Sequence, residues 1–258
     1  MSTPAHPSVT ITARQLAGLV DPVLPFASTD DTVPLLTGIR LTRRGRWLIA
    51  TATDRYKMAL KRLDLGEDET GEDWRAVVRV RDLKKIRSLW RPTRHSDPAL
   101  TLSVEPGDSL VVPPLFAVSS AEAFDAFQDM RAVFATVEFP GSPYPAIDRI
   151  MLEALAQPAA TPRPVALNPR YVAALAVAQE NGEPATSWGG WGDWTGASIL
   201  KPNPVSKPVA FTVGDDFVAA IVQIRTAAAS GATDGRPDVS SWVPLLTAAV
   251  DEAAARAK

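Results

Sequence analysis

The stretch that most narrows what this chain can become is Trp47–Leu63, WLIATATDRYKMALKRL. Leu48, Ala50 and Ala52 alternate with Ile49, Thr51 and Thr53, a period-two pattern rich in β-branched residues, as a half-buried strand requires. Asp54 interrupts the run with a side chain suited to bonding its own backbone, which predicts a tight turn. A second strand, Tyr56–Leu63, follows, with Tyr56, Met58 and Leu60 expected on one face. Upstream, Leu36–Thr42 alternates in the same way, and Arg43–Arg46 around Gly45 separates it from Trp47. Three consecutive antiparallel strands are therefore predicted.

Around this meander the pattern repeats. Val9–Ile11 reads as a strand and Thr12 as the N-cap of an amphipathic helix. Its apolar face carries Leu16, Leu19, Val20 and Val23, and Pro22 and Pro25 end it. After an acidic connector, Leu63–Asp73, the chain offers a strand at Arg75–Val80. Asp82 is the predicted cap of the helix Leu83–Trp90, striped by Leu83, Ile86, Leu89 and Trp90. Strands at Leu100–Val104, Leu110–Val112 and Arg131–Phe139 follow, with Ala121–Met130 as a polar-aromatic insertion. Residues 9 to 139 thus read strand–helix–three strands, twice over, a repeat of architecture and not of sequence. Beyond a Pro/Ala-rich linker, Gln157–Pro164, come a strand Val165–Asn168 and a helix Pro169–Gln179. Three further strands follow at Ala197–Leu200, Lys207–Val213 and Phe217–Arg225, then an Ala-rich helix at Ser241–Ala257.

Charge is distributed unevenly. The 258 residues carry a net charge of −2, yet Arg79 to Arg94 holds five Arg and two Lys against Asp82 alone. Lys84, Lys85, Arg87 and Arg91 fall largely off the apolar stripe of their helix, and almost no acidic residue is spaced to pair with them. Such a face is ordinarily a solvated one, and the scarcity of acidic partners weakens that reading here in favour of a local anionic contact. With zero cysteines and only His6 and His95, disulfides, thiol chemistry, zinc sites and His-based triads are disfavoured. No nucleophile elbow or phosphate-binding Gly-rich loop occurs, and the neighbouring carboxylates Asp30–Asp31 and Asp215–Asp216 point apart. A non-enzymatic protein needing no cofactor is expected. No apolar run approaches ~18 residues, so no membrane partner is expected and a cytoplasmic location is.

The hairpin with Ala52-Thr53-Asp54-Arg55-Tyr56 at its bend resembles the most recognisable segment of the bacterial DNA polymerase III β subunit, the sliding clamp. Phe139, Pro140, Tyr144, Arg149 and Ile150 can be laid on that family's passage from its middle to its last domain. ALNPRYVAAL, with Asn168 as cap and Pro169 at the first helical position, resembles its last-domain helix, and KPVAFTV with FVAAIVQIR its terminal strands. The resemblance covers most of residues 9–225. It leaves the family's first domain and the first half of its last without counterpart, and Gln223 stands where the family has Pro.

The resemblance implies an α+β clamp fold, with repeated β-α-β-β-β half-units, antiparallel sheets outside and helices on one face. It divides the chain into residues 1–156, a middle-type domain; 157–226, a partial last domain; and 227–258, a tail. It implies a non-catalytic polymerase subunit in DNA replication, a processivity factor that encircles or tracks double-stranded DNA and tethers polymerase or repair partners. Lys84, Lys85, Arg87 and Arg91 would face DNA, with Arg14 and Arg170 as further contacts. A groove for peptides of the polymerase and clamp loader would involve Thr53, Arg55, Tyr56, Lys57, Met58, Pro140, Arg149, Ile150, Val222, Ile224 and Arg225. A homo-oligomeric ring is expected, with three half-units per chain calling for four chains, or for three if a fourth half-unit comes from the insertions and the tail. The alternative is a clamp-fold adaptor or decoy that binds clamp-seeking peptides, or a full-length clamp, without encircling DNA. Trp188, Trp191 and Trp194, in a Gly-rich segment outside the resemblance, form either a base-stacking loop or a lid over the sheet.

Overall fold

A computed structural model of the chain describes residues 6–67, 71–107, 113–120, 130–137, 144–156, 167–177, 179–180, 183–184, 198–201, 208–213 and 216–222. The first half-unit is strand β1 (Ser8–Thr12), helix α1 (Ala13–Val20) and the meander β2 (Gly38–Arg44), β3 (Trp47–Thr53) and β4 (Lys57–Asp64). The second is β5 (Trp74–Arg79), α2 (Val80–Leu89), β6 (Ala99–Glu105), β7 (Leu115–Ser120) and β8 (Met130–Ala135). Helices α3 (Ile147–Ala156) and α4 (Pro169–Val172) follow, the latter running into a 3-10 turn at Ala173–Val177. The short strands β9 (Gln179–Glu180) and β10 (Glu183–Pro184) pair with each other, and β11 (Ser198–Lys201), β12 (Val209–Val213) and β13 (Phe217–Ile221) close the described chain.

The half-units exchange their first strands. β1 joins the four-stranded sheet β1-β6-β7-β8, whereas β5 joins a seven-stranded sheet ordered β11-β12-β13-β4-β3-β2-β5. Every pairing is antiparallel. Pairing of β13 with β4, Met58 opposite Ala220 and Leu60 opposite Val218, makes the third half-unit a continuation of the first half-unit's sheet.

The two sheets and their helices enclose one main core. Leu16, Leu19 and Val20 of α1 and Leu83 and Ile86 of α2 pack with Ile39, Leu41, Leu48, Ala50, Leu100, Leu102, Phe116 and Phe217. At ~25 cal/mol per Å² of apolar surface, this burial is the main favourable term in folding. Thr12 caps α1 reciprocally with Gln15: its side chain accepts from the Gln15 N–H, and Gln15 Oε1 accepts from the Thr12 N–H at 2.8 Å. Arg43 is fully buried in this core and donates to the Glu72 carbonyl at 2.7 Å, so part of the acidic connector is tied to the sheet.

Several elements differ from expectation. Helix α2 begins at Val80, with Arg79 as its cap residue, so Asp82 lies inside the first turn, where it pairs with Lys85 at 3.1 Å. Tyr56 is not in β4: Asp54 Oδ1 accepts from the Tyr56 and Lys57 N–H groups, holding Tyr56 in the turn. Strand β7 lies at Leu115–Ser120, where no strand is expected. The anticipated helix after Asn168 is one α-helical turn followed by a 3-10 turn. The anticipated strand at 110–112, the insertion at 121–129, the Trp-rich segment and the C-terminal helix fall outside the described residues. The clamp architecture is otherwise as expected, with one addition. Helix α3 lies on the opposite face of the seven-stranded sheet from α1, α2 and α4, over a second apolar cluster. No helix among the described residues is long and apolar enough to cross a membrane.

Candidate functional site

The basic residues of α2 divide by partner. Lys84 and Arg91 are exposed, while Lys85 is also exposed but paired with Asp82. Arg87 forms an ion pair with Asp21, the residue that ends α1. That correction to an unpartnered basic face comes from another helix, which no spacing within residues 79–94 could reveal. Burial pushes the Asp21 carboxyl above its usual range, and Arg87 partly offsets the rise. Lys84, Arg87 and Arg91 border one cleft of roughly 350 Å³ between α1 and α2, floored by Leu16, Ala17 and Ile86.

Arg14 is exposed on α1. Its Nη2 donates to the Thr93 carbonyl at 3.2 Å and its N–H to Asp97 Oδ1 at 2.8 Å, so its side chain bends toward the segment after α2. Arg170 is exposed on the first turn of α4. Arg81, absent from the expected set, has a side chain 67% exposed and sits one turn before Lys84. With Arg79 and Lys84 it lines a neighbouring cleft of about 410 Å³ beside Ser28 and Thr29. The basic run in the sequence contains Arg81; tracing the apolar stripe of the helix from Leu83 onward leaves it out.

At the expected groove, the β3–β4 turn is held by its own side chains. Thr53 Oγ1 donates to the Lys57 carbonyl at 2.9 Å and accepts from the Arg55 N–H at 3.1 Å. Arg55 sits at φ +82°, in the left-handed region that costs a non-glycine residue about 1–2 kcal/mol. Tyr56 is 56% exposed and stacks on Tyr171 of α4, ring centroids 6.0 Å apart and planes 12° from parallel. The Tyr56 carbonyl accepts from the Val222 N–H at 2.8 Å, which joins the turn to the end of β13.

The remaining candidates separate. Lys57 is buried; its Nζ donates to the Pro25 carbonyl and pairs with Asp54 at 3.0 Å. Met58 is only 4% exposed, packed with Tyr144, Ile147, Met151 and Ala220, so it is not presented at the surface. Tyr56 and Met58 thus do not share a face. Ile150 packs at the margin of the Met58 cluster, Arg149 is exposed on α3, and Val222 is half-buried. Pro140, Ile224 and Arg225 lie outside the described residues. Tyr144, expected only as a landmark, proves central: its hydroxyl lies 3.3 Å from the carbonyl oxygens of both Gly38 and Thr51.

Residues 10–103 match the protein family described as the DNA polymerase III beta subunit, central domain. Solved structures agree over nearly the whole chain. The DNA polymerase III beta subunit of Thermotoga maritima superposes with a TM-score of 0.58 at 14% identity, covering 88% of this chain and 68% of that one. The sliding clamp of Bacillus subtilis gives 0.55 at 16% identity, covering 88% and 66%. A putative beta subunit from Eubacterium rectale gives 0.61 at 10% identity, covering 88% and 68%. This chain therefore spans about two thirds of the length of the clamps it superposes on. Residues 10–103 thus match the central domain of the DNA polymerase III beta subunit, and the chain that carries them has the fold of the bacterial sliding clamps.

Proposed function

We propose that this protein is a clamp-type processivity factor that holds duplex DNA against its basic helices and tethers a polymerase or repair partner at the seam between β4 and β13. The observation that carries this reading is the gathering of Lys84, Arg87 and Arg91 at one cleft between the two helices of a clamp-fold domain. Lys and Arg on a helix face meet phosphates, which carry no sequence information, so such a surface holds duplex without fixing its position. Topological linkage then supplies retention. β8 ends the four-stranded sheet and β11 the seven-stranded one, and the assembly joins copies of the chain at these edges into a homo-oligomeric ring. The turn Thr53–Lys57, the exposed Tyr56 and the end of β13 supply the partner site.

The test uses Lys84→Ala, Lys85→Ala and Arg91→Ala together, leaving Arg87 on Asp21 so that the fold is undisturbed. Retention on nicked circular DNA should fall, and the log–log salt slope should flatten by about one unit for each phosphate no longer neutralised. Retention equal to the parent would refute the DNA-facing assignment. A second reading is an adaptor that binds clamp-seeking peptides or a full-length clamp without encircling DNA. It gains if light scattering finds a strict monomer, which cannot close a ring.

A further inference from the structure

Lys84, Arg87 and Arg91 line the cleft between α1 and α2, and no acidic residue among those described lines it with them. One of the three cations is nevertheless claimed from outside the cleft. Arg87 Nη1 donates to Asp21 Oδ1 across the helix pair, the two side chains being 37% and 33% exposed. Lys84 and Arg91 are exposed to solvent. Lys85 has its acid, Asp82, on its own helix, and its side chain stays 64% exposed. Asp21 differs in coming from α1 to neutralise a guanidinium that α2 brings to the cleft.

Stability is a poor reason for an acid at this place. Asp21 is the residue on which α1 ends, its N–H donating to the Ala17 carbonyl at 2.9 Å. Its carboxylate therefore stands at the negative end of the helix dipole, where a cation is favoured and an anion is not. Burial pushes its pKa up, and Arg87 offsets that rise only in part. A half-buried acid set against a helix dipole is costly to keep ionised, and what its charge does here is cancel that of Arg87. Phosphate binding draws its strength from the counterions each cation releases, and a guanidinium already paired with a carboxylate contributes none until that pair opens.

We propose that Asp21 sets the strength of the DNA contact: it keeps Arg87 off the phosphates, so the cleft grips duplex with fewer charges than it carries. This rests on the DNA-facing reading and adds the residue that limits it. Asp21 touches no DNA; it is a positioning residue that acts through Arg87. A protein retained by linkage around duplex is served by such a restraint, since each phosphate left free lowers the hold on any one position.

Binding of the full chain to a short, blunt-ended, fluorescein-labelled linear duplex is followed by anisotropy across a series of KCl concentrations. Asp21→Asn, which keeps the shape and removes the charge, should tighten binding and steepen the log–log salt slope by about 0.9, one further phosphate neutralised. Asp21→Ser, shorter and equally uncharged, should do the same, and Asp21→Glu, which restores the charge, should restore the parent's slope. Arg87→Met should cost about 0.9 more slope in the Asp21→Asn background than in the parent. An unchanged slope in both Asp21→Asn and Asp21→Ser overturns the proposal. So does a gain that survives Arg87→Met, because it would come from net charge alone. No binding by the parent or by Asp21→Asn, or parent-like binding by the combined Lys84→Ala, Lys85→Ala and Arg91→Ala variant, overturns the DNA-facing reading itself, and the role of Asp21 with it.

Discussion

Met58→Ala distinguishes a covered residue from a surface anchor by stability alone. The side chain is 4% exposed among Val77, Val137, Tyr144, Ile147, Met151 and Ala220. Truncating a buried Met to Ala costs about 2–5 kcal/mol, the transfer of its lost atoms plus the cavity left behind. Here the ceiling of the site is α3, which can settle toward the sheet, so a loss near the lower end, ~2–3 kcal/mol, is expected. For a domain of this size that corresponds to a Tm lowered by roughly 4–12 °C. The assay is urea unfolding followed by far-UV circular dichroism, with the m-value compared to detect any change in compactness. Tyr56→Ala is the internal control, since Tyr56 is 56% exposed and loses chiefly its stacking on Tyr171, about 1 kcal/mol. A Met58→Ala loss below about 0.5 kcal/mol would refute the placement of α3 over the sheet, because no buried Met is so cheap to remove.

Arg55→Gly should stabilise the protein by about 0.5–1 kcal/mol. Relief of the left-handed backbone at φ +82° exceeds the extra unfolded-state freedom of glycine, and a destabilised variant in a thermal melt would contradict this. The hydrogen bond from Arg46 holds the Asp64 carboxyl below the usual carboxylate range, so its contribution to stability is present above the ordinary Asp pKa and lost as pH falls through the depressed one. Arg46→Met should move the Asp64 midpoint, followed by NMR, upward; an unmoved midpoint would exclude Arg46 as the cause.

Much of this fold is written in local pattern. The period-two runs around Asp54 specify the β2–β3–β4 meander, because sheet pairing needs little more than alternation and a turn residue. Thr12 with Gln15 and Asn168 with Pro169 mark two helix starts, since a cap is satisfied within three residues. The start of α2 is ambiguous in sequence, because Asp82 serves equally well as a cap or, as found, as a first-turn acid pairing with Lys85. The basic face of α2 is legible as composition; that Asp21 claims Arg87 is not, since the partner lies 66 residues away.

The groove shows the same division most sharply. From sequence, Thr53, Tyr56 and Met58 belong to one hairpin, and alternation assigns Tyr56 and Met58 a common face. The fold separates them, because Asp54 bonds two successive N–H groups and keeps Tyr56 in the turn beside Tyr171, while Met58 enters the sheet. Whether Met58 then meets solvent or a helix depends on residues far along the chain, Tyr144 to Met151. Which segments pair, and which of their residues are apolar, follows from steric and capping rules acting within a few residues, and so can be read along the chain. What covers the outer face of the sheet is settled only in three dimensions, because burial there is a competition between distant segments for the same apolar surface, and nothing local to either segment records the winner.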